Sequence, residues 1–330
     1  MALDVKIIID IMKPIGSVGF GYPLILVENA AEAKEYTVIA NLEELVKAGY
    51  ANTTDVYKAV QLMFAQTHAP EKIAVCSATT AADVWLGAES NVSKDWRQLI
   101  VLNEGETKTD IAKVMTVIEG QKTYPKMYFA NLDFDDATEL TVTNVERTVL
   151  FYYTPTEDVP VPVAALVGEV AGLEVGSYTL NNLVVKGIVP LELSQEDIDE
   201  LHEKGGITCV LSAGDAVLSE GITAGGSYVD DVDGNDWIKQ QLEYKTQKVF
   251  NNNLKVPYTN AGIAMLESAA VEVMTEAKNR TIVDTFEVSY LLREDTKAED
   301  RAARKYIGGT ITYSMAGAIH KIDIYCKCTL

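Results

Sequence analysis

The chain has 330 residues, with 28 Lys and Arg against 48 Asp and Glu, which gives it a formal charge of −20. Hydrophobic residues make up 48% of the chain and charged residues 23%, a composition typical of a folded protein and unlike that of a disordered one. So acidic a chain lacks the clustered Lys and Arg needed to bind nucleic acid or an anionic membrane surface. The length predicts about two domains.

No export signal and no membrane helix are predicted. Asp4 lies near the start, where a signal peptide carries positive charge, and Asp10 interrupts the apolar run that follows. The best uncharged apolar stretch, residues 159–168, is much shorter than the roughly 18 residues of a membrane-spanning helix. The four cysteines are too few and too scattered for a disulfide framework. We therefore expect synthesis in a reducing cytosol.

Between about residue 22 and residue 154, short apolar runs alternate with helical patterns. Strands are predicted at residues 23–27, 72–76, 98–102, 126–130 and 148–152. Helices are predicted at residues 54–66 and 108–120, because apolar residues recur there at helical spacing, and a third is predicted after Pro162. Continuous apolar strands separated by helices indicate a largely parallel sheet covered on both faces, which is an α/β domain.

From residue 191 the pattern changes to that of an α+β unit. Ser194 is predicted to cap a short acidic helix that ends at Gly205, and residues 207–211 follow as a strand. Two longer helices are predicted at residues 236–251 and 260–278. The last predicted strands are residues 285–291, 310–313 and 319–330.

Both ends of the chain alternate between apolar and polar residues. Near the start, the alternating apolar residues are Val5, Ile7, Ile9 and Ile11. Near the other end, they are Ile322, Ile324, Cys326, Cys328 and Leu330. A period of two is typical of a strand with one buried face. Two interpretations are open: ordinary pairing within the chain, or a strand donated to the sheet edge of a neighbouring subunit.

No catalytic or cofactor site is predicted. The glycines of residues 16–21 lack the Lys-Ser/Thr ending of a phosphate loop and are misplaced for a dinucleotide fingerprint. The histidines His68, His202 and His320 are far apart in the sequence, and we interpret each as a surface or packing residue. An α/β enzyme with a small-molecule site at the carboxyl ends of the strands is the alternative from another functional class. It would need a phosphate loop or a convergent polar cluster, and neither is found.

No metal site is predicted either. Residues 230–236 begin like a calcium loop, but Asp236 and Leu242 stand where that loop needs a glycine and a bidentate glutamate. We interpret the segment as a turn in which Asn235 or Asp236 caps the next helix. Cys326 and Cys328 would need two further ligands to hold a metal ion, so we interpret them as small buried residues of a strand.

Taken in order along the chain, these features resemble the contractile tail sheath proteins of bacteriophages and phage-tail-like bacteriocins. The segments that carry the resemblance are residues 20–27, 41–45, 55–60, 72–75, 162–168, 194–202, 205–207, 221–223, 236–238 and 306–309. The order of these segments, rather than a single motif, carries the resemblance, and it extends over nearly the whole chain.

The resemblance implies a structural subunit that is not an enzyme. The implied fold is α/β plus α+β: an α/β sandwich domain over residues 16–190 and a sheath-type C-terminal domain over residues 191–318. An N-terminal arm, residues 1–15, and a C-terminal arm strand, residues 319–330, flank these domains. The arms are implied to add strands to sheets of adjacent subunits, so the nine alternating apolar residues become candidate interface residues.

The resemblance also implies partners. These are further copies of the chain in a helical array, an inner tail tube, and baseplate and tail terminator proteins, with no direct contact to nucleic acid and no membrane insertion. Baseplate triggering would contract the sheath and drive the tube through the target envelope. Candidates for tube contact are the basic residues Lys245, Lys248, Arg301, Arg304 and Lys305.

The implied location is a virion tail or a phage-tail-like particle, made and assembled in the bacterial cytoplasm without a signal peptide. A sheath component of another contractile injection machine, secretion systems included, is the alternative. The compact chain shows no obvious inserted outer domain, which favours a phage tail or a bacteriocin.

Overall fold

The computed structural model describes residues 21–104, 108–133 and 145–328. One large sheet is built from β1 (Tyr22–Glu28), β2 (Lys34–Ile39), β3 (Ile73–Ser77), β4 (Trp96–Asn103), β5 (Met127–Leu132), β6 (Thr148–Tyr152) and β7 (Gly206–Ile207). The strands lie in the order β2-β3-β1-β4-β5-β6-β7. All neighbours are parallel except β2, which is antiparallel to β3. The predicted, mostly parallel α/β sheet is therefore confirmed.

Helices cover both faces of this sheet. They are α1 (Leu42–Lys47), α2 (Asp55–Phe64), α3 (Ala82–Leu86), α4 (Glu89–Val92), α5 (Ile111–Glu119), α6 (Val163–Val170) and α7 (Gln195–Glu203). Side chains of β1 alternate between two cores: Ile25 and Val27 pack towards α1, α2 and α6, while Leu24 and Leu26 pack towards α3, α4, α5 and α7. Burial on both faces explains why the strands read as continuous apolar runs.

The C-terminal part of the chain adds a second layer, in which two long helices are combined with four strands. It consists of β8 (Cys209–Ser212), β9 (Asp215–Leu218), α8 (Val229–Asn252), α9 (Asn260–Asn279), β10 (Val283–Tyr290), α10 (Ala298–Ala302) and β11 (Gly309–Met315). Strands β8 and β9 form an antiparallel hairpin, and β10 and β11 form a second antiparallel pair whose connection contains α10. The cluster of Trp237, Ile238, Val273 and Met274 holds α8 against α9.

The expected strand over residues 207–211 is two strands. Gly206–Ile207 extends the main sheet, whereas Cys209–Ser212 pairs with β9. The chain passes from one sheet to the other at the buried Thr208, whose hydroxyl donates to the carbonyl of Tyr152 at 2.6 Å. A strand that follows residue 191 thus belongs to the large sheet, and the domain limits at residues 190 and 318 stay a prediction.

The predicted turn at residues 230–236 is wrong, because this segment forms the first two turns of α8. Asp230 and Asp231 lie in the first helical turn, where carboxylates interact favourably with the helix dipole. A Cβ at Gly234 would lie 2.8 Å from side-chain carbons of Ile282 and Met315, so these side chains would have to shift to admit a larger residue. Within the described ranges, no helix is long and apolar enough to cross a membrane.

Candidate assembly surfaces

The large sheet has the switch point at which many α/β proteins bind ligands. The chain leaves β1 towards β3 and leaves β4 towards β5, so a crevice is expected between the carboxyl ends of β1 and β4. Here the carboxylate of Glu28, which is 2% exposed, fills this position. It accepts from the backbone N–H of Ala82 at 2.6 Å and from Asn103 Nδ2 at 2.9 Å. The protein's own side chain thus occupies the anion position at the start of α3.

A buried ion cluster connects the large sheet to α8. Arg97 of β4 is 1% exposed and pairs with both Asp233 and Asp236 of α8. Arg147 donates to the two carboxylate oxygens of Asp236 at 2.7 and 2.9 Å, and Tyr178 donates its hydroxyl to Asp233 at 2.7 Å. Residues 230–236, which were predicted to form a turn, therefore supply the two carboxylates that neutralise Arg97 and Arg147.

These contacts change the protonation behaviour of the cluster. Burial alone would raise the pKa of Asp236, but the hydrogen bonds and charges of Arg147 and Arg97 outweigh burial, so the pKa of Asp236 lies below its ordinary value. Burial, reinforced by the charge of Asp233, raises the pKa of Tyr178 well above its ordinary value. Tyr178 is thus a neutral donor and Asp236 an ionised acceptor at neutral pH.

The small sheet β10–β11 has open edges. Its inner face packs on α8 and α9 through Phe286, Val288, Ile311 and Met315. Its outer face is polar and exposed, with Thr285, Glu287, Ser289, Thr310, Thr312 and Ser314. Among the described residues no third strand pairs with β10 or β11. Each outer edge therefore offers a row of backbone N–H and C=O groups to an added strand.

The C-terminal segment follows β11 directly. Residues 316–328 carry no regular secondary structure, so the expected strand over residues 319–330 is not formed within residues 319–328 of the single chain. Of the predicted interface residues, Ile322 is 76% and Ile324 74% exposed, and Cys326 and Cys328 are exposed free thiols. Leu330 lies outside the described residues. A strand needs a neighbouring strand to pair with, and no strand among the described residues of the same chain pairs with this segment.

The predicted N-terminal interface residues lie outside the described residues. They are Val5, Ile7, Ile9 and Ile11. Their proposed role, like that of the C-terminal set, stays a prediction.

His320 is a residue that sequence reasoning did not single out for assembly. Its side chain is only 10% exposed, although Ile319 and Ile322 beside it are 90% and 76% exposed. Its Nδ1 lies 2.6 Å from Glu220 Oε1, its Nε2 lies 3.0 Å from Thr179 Oγ1, and its ring meets that of Tyr228 edge-on at 5.0 Å. An isolated histidine carries no local sequence signal, since its partners are about 90 to 140 residues away in the chain.

The basic residues named as tube-contact candidates differ in their surroundings. Lys245 on α8 pairs with Glu272 on α9 at 2.6 Å, and Lys248 lies over the ring of Tyr244. Arg301 donates to the backbone carbonyl of Arg293 at 3.1 Å. Lys245 and Arg301 therefore already have partners within the chain.

No protein-family model matches the sequence, and no curated protein matches it. Solved structures do share its fold. The sheath complex of an extracellular contractile injection system, PVC, in the contracted state aligns with a TM-score of 0.71 over 94% of this chain and 92% of that one, at 12% identity. The sheath tail protein from Desulfitobacterium hafniense aligns with a TM-score of 0.53 over 92% of this chain and 98% of that one, at 11% identity. The resemblance to sheath proteins is thus confirmed at the level of the fold.

Proposed function

We propose that this chain is the structural subunit of a contractile sheath. It polymerises helically around an inner tube through strand exchange, and contraction of the polymer drives the tube through a target cell envelope. One observation carries the proposal: a chain with the sheath fold has a small sheet with open edges, β10–β11, and next to it an exposed segment with the alternation of a strand.

The pattern of the exposed segment matches the layering of the small sheet. Ile322 and Ile324 alternate with the polar Asp323 and with Tyr325, just as β10 alternates between its apolar inner face and its polar outer face. A segment of this kind, added at an edge, would place its apolar residues over the helices and its polar residues in solvent. We propose that the acceptor is the β10–β11 sheet of a neighbouring subunit, and that the N-terminal arm is donated in the same manner.

The energy available from such arms is sufficient for assembly. Burial of the four Val and Ile side chains of the N-terminal arm contributes about 1.5–3 kcal/mol each, or on the order of 6–12 kcal/mol before ordering costs. With two arms per subunit, the loss of one connection leaves the others intact. Donation from each subunit to the next is a heterologous contact, which produces a helical filament when it does not close into a ring.

The proposed partners are other copies of this chain, the inner tube, and baseplate and terminator proteins. The proposed location is a tail or tail-like particle assembled in the cytoplasm of a bacterium. The sheath of the extracellular injection system is similar over 92% of its own chain. An extracellular injection particle is therefore a candidate for the assembly that contains this chain, as are phage tails and bacteriocins.

The enzyme alternative lacks a supporting site among the described residues. The position where an α/β enzyme would bind an anionic ligand is filled by Glu28. Over the same residues, no three His, Cys, Asp or Glu side chains are grouped so that they could hold a metal ion.

Deletion of residues 1–12 tests the proposal. We expect the truncated chain to keep its fold, measured by circular dichroism, and to lose the ability to form tubes in negative-stain electron microscopy. Replacement of Val5, Ile7, Ile9 and Ile11 by alanine should have the same effect. The matched control replaces the alternating polar residues Asp4, Lys6 and Asp10, and it should still form tubes. Long normal tubes from the deletion variant would contradict strand donation, and monodisperse wild-type particles at high concentration would contradict the sheath function.

A further inference from the structure

We infer that His320 anchors the base of the C-terminal arm to the core and thereby determines which neighbouring sheet edge the arm can reach. This inference rests on the proposed sheath function and adds a positioning residue to it. The observation behind it is the burial of one side chain within a segment whose other large side chains are exposed: Ile319, Ile322, Ile324 and Tyr325 are 74–90% exposed, against 10% for His320.

Three different elements form the anchor site. Thr179 belongs to the connection that follows α6, Glu220 lies between β9 and α8, and Tyr228 is the N-cap residue of α8. The imidazole therefore fixes the segment to the part of the chain that joins the two layers of the molecule. Glu220 is itself held in place, because its carboxylate accepts from the backbone N–H of Gly221 at 2.9 Å and from Asn181 Nδ2 at 3.2 Å.

The imidazole has a close neighbour at each of its ring nitrogens. Nδ1 lies 2.6 Å from Glu220 Oε1 as an electrostatic contact, and Nε2 forms a hydrogen bond with the hydroxyl of Thr179. Asp230 also interacts electrostatically with His320, and Lys321 interacts with the nearby His202. The anchor therefore combines one hydrogen bond, one electrostatic contact and the edge-on contact with Tyr228.

The backbone before His320 is also held in place. The N–H of Ala316 donates to the carbonyl of Ile282 at 3.0 Å, and Gly317 adopts a left-handed φ of +61° that turns the chain away from β11. The segment thus leaves the small sheet, turns at Gly317 and reaches the anchor within a few residues. Beyond Lys321, the described residues are exposed.

The anchor shortens the reach of the arm. Cys328 is thirteen residues beyond the end of β11 at Met315, but only eight beyond His320. At about 3.3–3.6 Å per extended residue, its maximum reach falls from roughly 43–47 Å to roughly 26–29 Å. The accessible volume scales with the cube of this reach and falls to roughly a quarter, so the local concentration of the arm at a near edge rises about fourfold.

The test compares His320→Ala with wild type in the full chain. We expect amide hydrogen exchange of Ala316, whose N–H donates to the carbonyl of Ile282, to rise severalfold in the variant. A dye attached to Cys326 in a Cys328→Ser background should show lower fluorescence anisotropy, and this site is selective because Cys76 and Cys209 are buried. The concentration needed to form tubes should rise about fourfold, as estimated from the reach.

Two further variants separate anchoring from general destabilisation. His320→Gln keeps one donor and one acceptor and should restore most of the protection. His68→Ala removes another histidine that pairs with a carboxylate, Glu169, far from the C-terminal segment in sequence, and should leave the exchange of the Ala316 amide unchanged. Thermal unfolding of all variants reports whether the core is intact.

Each result decides one point. Unchanged exchange in His320→Ala would overturn the anchor, and increased exchange with tubes identical to wild type would overturn its role in positioning. Absence of tubes from the wild-type protein at high concentration in about 0.5 M salt, where charge repulsion is screened, would overturn the proposed sheath function, and with it the positioning role. Increased exchange combined with a higher threshold for tube formation would support the inference.

Discussion

At the scale of single residues, the most consequential side chain is Arg97. It is fully buried between two carboxylates of α8, and it connects a strand of the large sheet with a helix more than 130 residues later. Removal of one partner from a buried ion pair leaves a charge that is neither solvated nor neutralised, which is why such changes are costly.

We expect Arg97→Ala to lower the free energy of unfolding by about 3–5 kcal/mol, measured by urea denaturation at pH 7. The difference from wild type should shrink in acid, because a protonated Asp236 no longer needs a cation. The pKa of Asp236 is lowered in the folded state, so its stabilising contribution is present above the unfolded pKa and is lost as the pH falls through the folded pKa.

The control for this variant is Lys113→Ala. Lys113 pairs with Asp110 on the surface, where both side chains are at least half exposed, so no measurable change is expected. An Arg97→Ala protein as stable as the control would show that the buried cluster contributes nothing to the contact between β4 and α8.

At the scale of elements, the close approach of α6 to α2 depends on Gly168. A Cβ at this position would lie 2.5 Å from the Cα of Met63, which is backbone and has no room to move. We expect Gly168→Ala to destabilise the protein by about 1–3 kcal/mol through overpacking, measured as a lower Tm in thermal unfolding.

Gly87→Ala is the matched control for Gly168→Ala. Gly87 is exposed at the end of α3 with a φ of −65°, and a Cβ there would lie 3.3 Å and 3.5 Å from the carbonyl oxygens of Asp83 and Val84, much farther than the 2.5 Å contact at Gly168. The control should unfold at the wild-type temperature. Equal Tm values for all three proteins would contradict the close-packing explanation.

The elements also show how far the sequence alone can predict this fold. The five buried parallel strands were predictable because burial on both faces makes each one a continuous apolar run. Strand β2, Lys34–Ile39, was not, because an edge strand with charged residues at its start lacks that run. Its pairing with β3 is a tertiary contact that no local pattern signals.

The start of α8 and the anchor at His320 were missed for a related reason. The run of aspartates at residues 230–236 has the composition of a turn, and only Arg97 and Arg147, distant in sequence, make it compatible with a buried helix. His320 likewise acquires its role from Glu220 and Thr179. Local periodicity predicts which residues share a face, but not which distant charges they meet.

At the scale of the whole molecule, the charge of −20 gives every subunit a repulsive field. For the proposed sheath function, this predicts that copies of the chain polymerise slowly in dilute solution unless a tube or baseplate templates the assembly. Salt screens this repulsion within a Debye length of about 10 Å at 0.1 M and about 3 Å at 1 M.

We therefore expect spontaneous assembly without a tube to be slow at low ionic strength and to accelerate as salt is added, measured by light scattering from about 0.02 M to 0.5 M salt. An uncharged osmolyte at matched osmolality serves as the control and should not reproduce the effect. Rapid assembly at the lowest salt concentration would contradict the role proposed for the charge.

The edges of the two sheets differ in how well each could accept an added strand. One edge of the large sheet is β2, whose pairing is interrupted by a register shift after Lys34, and the other is β7, which is only two residues long. Irregular, charged and very short edges are poor templates for an incoming strand. The seven-residue and eight-residue strands of the small sheet are far better ones. In the proposed assembly, a donated terminal strand would therefore find few incorrect sheet edges to pair with. The same poor edges of the large sheet would also protect newly synthesised chains from edge-to-edge aggregation.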